Sequence, residues 1–286
     1  MNQPNDAADS WVITTIQEEF QAKVFQQSVE RPIVVDFRAE WCAPCRALGP
    51  VLEKMAGEYA GEFILVKANT EENPQSASEF QVQGIPAVYA VVNEKVVEMF
   101  NGALPETQIR VWLDRVISIG LLIKANQLEN DSPESAEKNY RTILSKTPDE
   151  VEAQLGLARV LLGQNKFDDV RQIIDKLESR GFLEPEAEKI KANLALHGKQ
   201  GGDLQALRDQ VTENPDNLSL QLTLAETLAG SKAYEEALSL SLSLVQKDKT
   251  GVGDAARKLM IDIFRVLPDN SPLVSEFRRK LSTALF

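Results

Sequence analysis

Cys42 and Cys45 are the only cysteines in the chain, separated by Ala43 and Pro44. Two thiols at this spacing come within disulfide reach when they occupy the first turn of a helix. At that position the unpaired N–H groups and the helix dipole favour a thiolate at Cys42. Cys45, one turn further in, is the more buried partner. Pro44 suits a first-turn place, where its missing N–H is not needed. Asp36 is an acid inside the apolar run Ile33–Phe37. Desolvation should raise its pKa and let it exchange a proton with Cys45. Arg38 and Arg46 add positive potential to the segment, or are plain surface charges. Half a zinc site, or two unreactive thiols, is the bland reading of the pair. With His197 as the single histidine, such a site would need an unusual ligand set or a second copy, so neither metal nor cofactor is expected.

The elements that must position these residues follow from patterning. Val12–Thr14 reads as a short strand, and Thr15-x-x-Glu18 as a capping box opening a helix. Ile33–Phe37 has the texture of a buried strand. A helix from about Ala43 carries Leu48, Val51, Leu52 and Met55 on one face, with Pro50 placed to kink it. Phe63–Lys67 is the next strand and Glu72–Phe80 a helix. Ala87–Val92 and Lys95–Phe100 form a hairpin around Asn93, and Pro105–Ile117 is an amphipathic helix. This βα-βα-βα-ββα order predicts a small α/β layer fold with a mixed sheet over residues 1–118. Gly84-Ile85-Pro86 precedes one strand, where a proline is tolerable if its peptide bond is cis and it lies opposite the cysteines.

From about residue 121 the strand signals vanish and an internal repeat appears. Leu157, Ala158, Leu161, Phe167, Val170 and Leu177 recur as Leu224, Ala225, Leu228, Tyr234, Ala237 and Leu244, each pair 67 apart. That offset is close to twice the period of about 34 residues of tetratricopeptide repeats. Pro148 and Pro215 keep it too, and Gly202-Asp203-Leu204 opens a degenerate intermediate copy. Residues 119–286 are therefore predicted to form an all-α, tetratricopeptide-like domain of about four helix pairs, the alternative being a generic helical bundle.

Composition narrows the classes. There are 286 residues, with 31 Lys+Arg against 43 Asp+Glu for a formal charge of −12, which opposes nucleic-acid binding. No stretch approaches the roughly 20 apolar residues of a membrane span, and the N-terminus lacks the regions of a signal peptide. A cytoplasmic protein with no membrane partner is expected. The turn Gly198-Lys199-Gln200-Gly201-Gly202 lacks the ending of a nucleotide-binding loop. His197 beside it reads as a helix-end residue rather than a ligand.

Asp36-Phe37, Trp41-Cys42-Ala43-Pro44-Cys45, Pro50, Lys67, Gly84-Ile85-Pro86 and Gly102, in that order over about residues 10–118, resemble the thioredoxin pattern. The resemblance implies that Cys42 attacks and Cys45 resolves the mixed disulfide, with Asp36 and Lys67 as a buried proton-handling pair. It further implies that Trp41, Ile85, Pro86 and Gly102 line the groove for a substrate chain, while Pro44 and Pro50 are structural. The Ala-Pro dipeptide departs from the commoner Gly-Pro. Arg38 stands where thioredoxins usually carry tryptophan, which bears on reduction potential and on recognition by thioredoxin reductase.

The whole arrangement is similar to the YbbN-type proteins, the chaperedoxins. That family implies a redox-active co-chaperone acting in stress, a protein-disulfide oxidoreductase that also holds unfolded or oxidised clients. Its partners would be those clients, thioredoxin reductase or another thiol reductant, and other chaperones reached through the helical domain and the basic tail Arg278-Arg279-Lys280. Two other readings are a binding adaptor with the cysteines as a redox switch, and a thioredoxin whose helical domain only selects partners. For the tail, the alternative to docking is an end cap of the helical domain.

Overall fold

The computed structural model describes residues 11–197, 203–268 and 270–285. The chain divides into two compact units, Met1–Pro148 and Asp149–Phe286. The first is built on strands β1 (Val12–Thr15), β2 (Ile33–Arg38), β3 (Ile64–Asn69), β4 (Ala87–Val92) and β5 (Lys95–Asn101). They form one sheet in the order β1-β3-β2-β4-β5. β3 pairs parallel with β1 and β2, whereas β4 pairs antiparallel with β2 and β5. The hairpin between β4 and β5 turns at Asn93 and Glu94, both at positive φ.

β2 is central, and its alternation decides what each face receives. Ile33, Val35 and Phe37 join a cluster with Phe20, Phe80 and Tyr89 on one face. Val34 points into the other cluster, with Leu48, Leu52 and Met55 of α2 (Ala43–Glu58) and Ile109 and Leu113 of α4 (Glu106–Leu128). Asp36 and Arg38 share the parity of Val34 and so face α2. Leu48, Leu52 and Met55 recur at helical spacing and are essentially unexposed, each worth about 1.5–3 kcal/mol of burial.

Two local expectations are corrected. Thr15-x-x-Glu18 forms no capping box. Thr15 ends β1 and its hydroxyl donates to the Ile16 carbonyl, while the short α1 (Gln17–Phe20) has no side-chain cap. α1 runs on as a π-helical stretch, Gln21–Gln26, and a 3-10 turn, Gln27–Val29. The nearby Gln17 side chain instead accepts from Gln75 and Ser76 N–H, at the start of α3 (Pro74–Glu79). α4 does not end near Ile117 but continues to Leu128. Gly120 is tolerated inside it because a Cβ there would lie 2.7 Å from the Pro32 ring. α5 (Pro133–Lys146) then packs with α4 in the first unit. The sequence boundary at 118/119 falls within α4, whereas packing divides the chain at 148/149. Texture and compactness thus mark different points.

Beyond α5 the described residues are helical: α6 (Val151–Gly163), α7 (Phe167–Glu178), α8 (Pro185–His197), α9 (Leu204–Glu213), α10 (Leu218–Gly230), α11 (Tyr234–Lys247), α12 (Val252–Val266) and α13 (Pro272–Leu285). The repeat is reproduced closely: α6 and α10 start and stop 67 residues apart, and α7 and α11 start at the same offset. Asn165 and Lys232, in the matching turns, both take positive φ. Ala158, Leu161, Ala225 and Leu228 are fully buried. Phe167 and Tyr234 are only half-buried, so they flank the turns rather than fill the core. Phe167 stacks on His197 at 5.2 Å between centroids, and His197 is the last residue of α8. The glycine-rich turn 198–202 lies outside the described residues.

In the basic tail, Phe277 and Leu281 of α13 join the core of the second unit. Lys280 pairs with Glu276, and Arg278 lies over the Phe264 ring. α13 thus packs as an end element of that core.

Candidate active site

Because β2 ends at Arg38 and α2 begins at Ala43, the turn between them places Cys42, with Cys45 in the first turn of α2, at the C-terminal end of the central strand. Cys42 is the N-cap residue of α2 and accepts a hydrogen bond on Sγ from the Cys45 N–H at 3.2 Å. Pro44 occupies the first turn and spares an orphan donor. The two cysteines form a disulfide with Cα atoms 5.3 Å apart. Cys42 retains 4% exposure and Cys45 none, so Cys42 is the more accessible sulfur. When the bond is reduced, the same N–H and the helix N-terminus lie ready to stabilise charge on Cys42. α2 passes through Pro50, whose side chain is exposed. Arg46 is engaged locally, donating to the Glu40 carbonyl at 2.8 Å.

The remote residues are brought to the same place. Ile85 packs against Ala39, Cys42 and Cys45. The Ile85–Pro86 peptide is cis, and Pro86 is buried. Gly102 donates its N–H to the Pro86 carbonyl at 2.8 Å and holds φ at +80°. No atom lies within 4 Å of where its Cβ would stand, so the backbone there borders open space. Trp41 is 68% exposed, and its indole N–H donates to Glu71. An exposed aromatic plate, a cis-proline and an open glycine backbone thus lie around a nearly closed sulfur pair.

Asp36 is 1% exposed, and neither carboxylate oxygen has a hydrogen-bond partner. Burial pushes its pKa up to about 6, partly opposed by the charges of Arg38 and Lys67 and reinforced by Glu53. Lys67 stands opposite Asp36 in the β2–β3 register. Its ammonium nevertheless makes an ion pair with Glu53 of α2, at 2.7 Å. Glu53 was not a sequence candidate. It sits among ordinary charges on a helix surface, and only the packing of α2 across β3 brings it to Lys67. Arg38 reaches across the same helix: a Cβ on Gly49 would lie 3.1 Å from its guanidinium. The lack of a side chain at Gly49 therefore gives Arg38 its place beside the buried acid. Among the described residues, no group of three or more His, Cys, Asp or Glu side chains could hold a metal ion.

The family model described as Thioredoxin matches residues 11–115, and two described as Tetratricopeptide repeat match residues 127–194 and 197–286. Thioredoxin 2 of Chlorobaculum tepidum is 40% identical over 100 residues, covering 35% of this chain and 90% of that protein. Thioredoxin C-2 of Corynebacterium nephridii is 37% identical over 106 residues, covering 37% of this chain and 96% of that protein.

Proposed function

The chain belongs to the thioredoxin family, and from that premise we propose that it is a redox-active co-chaperone of the YbbN type. The first half of this reading is enzymatic: an α/β thioredoxin fold with paired cysteines makes the chain a thiol–disulfide oxidoreductase. The second half is protein binding by the tetratricopeptide repeats, extended here to holding unfolded or oxidised clients and docking other chaperones. No described helix is long and apolar enough to cross a membrane, and we place the protein in the cytoplasm.

In the proposed cycle the Cys42 thiolate attacks a client disulfide in line, forms a mixed disulfide and releases one client thiolate. Cys45 passes its proton to Asp36 and attacks the Cys42 sulfur. The second client thiolate leaves, and two electrons have moved from the dithiol to the client. A thiol reductant such as thioredoxin reductase then restores the pair. Lys67, held by Glu53, tunes the acid. Trp41, Ile85, Pro86 and Gly102 hold the client chain. Functionally we divide the chain at 118/119, between the matched segments 11–115 and 127–194.

The observation that carries the reading is the disulfide at the α2 N-cap in a chain that also holds helical repeats. The test is suppression of aggregation of a thermally unfolding model client by the full chain. Suppression near stoichiometric ratios supports holding. Its absence would reduce the protein to an oxidoreductase whose repeats only select partners.

A further inference from the structure

At the opposite end of β2 from the dithiol, the first unit has a half-open cleft of about 650 Å³. Its walls are the segment Ser28–Pro32, the start of the β3 approach at Gly61-Glu62, the β4–β5 turn, and one face each of α4 and α5. β2 has six residues, so at about 3.3 Å each it separates the cleft from the cysteines by roughly 20 Å. The cleft is thus distinct from the redox site.

Its charge is anomalous for this molecule. In a chain of net charge −12, Arg31, Lys124, Lys138 and Lys146 line it against Glu30 and Glu62. Arg31 is engaged by the Gly61 carbonyl and the Trp11 ring, and Lys146 by Glu62 and Asp114. Lys124 and Lys138, on α4 and α5, are exposed and have no acidic partner among the described residues. The same lining includes the aliphatic side chains of Leu121, Ile123 and Val29, the last 54% exposed. Gln127 and Asn139 add amide groups able to pair with a peptide backbone.

We propose that this cleft docks a short, extended segment of a partner protein in which carboxylates flank aliphatic side chains. Two free ammonium groups in a cleft that also presents aliphatic side chains match that chemistry. Nucleic acid or an anionic membrane would meet the overall acidity of the chain, whereas a segment with two or three carboxylates meets only the local charge. The lysines set the specificity, and the aliphatic lining supplies the burial.

The test is a fluorescence-polarisation titration of the full-length protein with a labelled peptide, Asp-Leu-Glu-Val-Asp, blocked at both ends. Saturable binding is expected, weakening as salt rises. The Asn/Gln version of the peptide should bind about tenfold more weakly, the strong end of what two surface ion pairs contribute. Lys124→Glu/Lys138→Glu should weaken the acidic peptide at least as much, while Lys124→Arg/Lys138→Arg retains binding. Thermal melting of both variants guards against a loss through unfolding. Equal binding of the acidic and neutral peptides, indifference to charge reversal, or no saturation below about 1 mM would overturn the proposal. Displacement of the peptide by inorganic phosphate at lower concentration than by unlabelled peptide would overturn it in favour of a small anion.

Discussion

In the proposed cycle, Asp36 carries most of the chemistry that depends on pH. Its carboxyl has no hydrogen-bond partner and a pKa near 6, so near neutrality it is largely ionised and able to accept the Cys45 proton. Resolution of a mixed disulfide should slow as pH falls through about 6, and Asp36→Asn should lose that limb; a stopped-flow pH profile of both proteins checks this. The same raised value acts on stability. The folded state binds the proton more tightly than the unfolded chain, so the contribution of Asp36 to stability is full below the ordinary value of 3.8 and is lost as pH rises through about 6. Asp36→Asn should remove this decline, a gain of at most about 3 kcal/mol at neutral pH, read by urea denaturation of the oxidised form at several pH values. Arg38 opposes the burial effect, so Arg38→Leu should move the Asp36 midpoint upward in an NMR titration. Most of this site was legible because its signatures are local: a cysteine pair after an apolar run, an acid inside that run, a proline before a strand. Glu53 was not legible, since nothing in its sequence neighbourhood separates it from a solvated helix charge.

Elements were legible where periodicity was strong and illegible where a residue had two uses. Thr15 followed by Glu18 has the spacing of a cap, but the backbone of Thr15 is committed to pairing with Ala68 of β3. Gly120 looks like a place to stop a helix, yet it is where α4 approaches Pro32. The repeat, by contrast, was readable down to its turns, and equal positions should respond in related ways. Lys232 holds φ of 65° and Asn165 holds 61°, a conformation that asparagine tolerates better than lysine. Lys232→Gly should therefore stabilise the protein by up to about 1 kcal/mol, and Asn165→Gly by less, in denaturant titrations. Leu161 and Leu228 are both fully buried at matched places. Replacing either with alanine should cost about 2–5 kcal/mol.

For the whole molecule, the scarcity of sulfur and histidine leaves one redox site among the described residues, and the added length supplies repeats that bind. The cleft between α4, α5 and the sheet's far end escaped the sequence reading because its two lysines come from helices that must first fold together. Its charge is visible only against the acidity of the rest. Exchange at Cys42 remains the central claim, since every role given to the surrounding residues depends on it. The direct measurement is reduction of insulin disulfides by the full-length protein with dithiothreitol supplied, alongside Cys42→Ser and Cys45→Ser. The account predicts catalysis by the native chain, none by Cys42→Ser, and a covalent mixed disulfide at Cys42 accumulating on Cys45→Ser. Insulin reduced no faster than by dithiothreitol alone, or a client trapped on Cys45 instead, would contradict it.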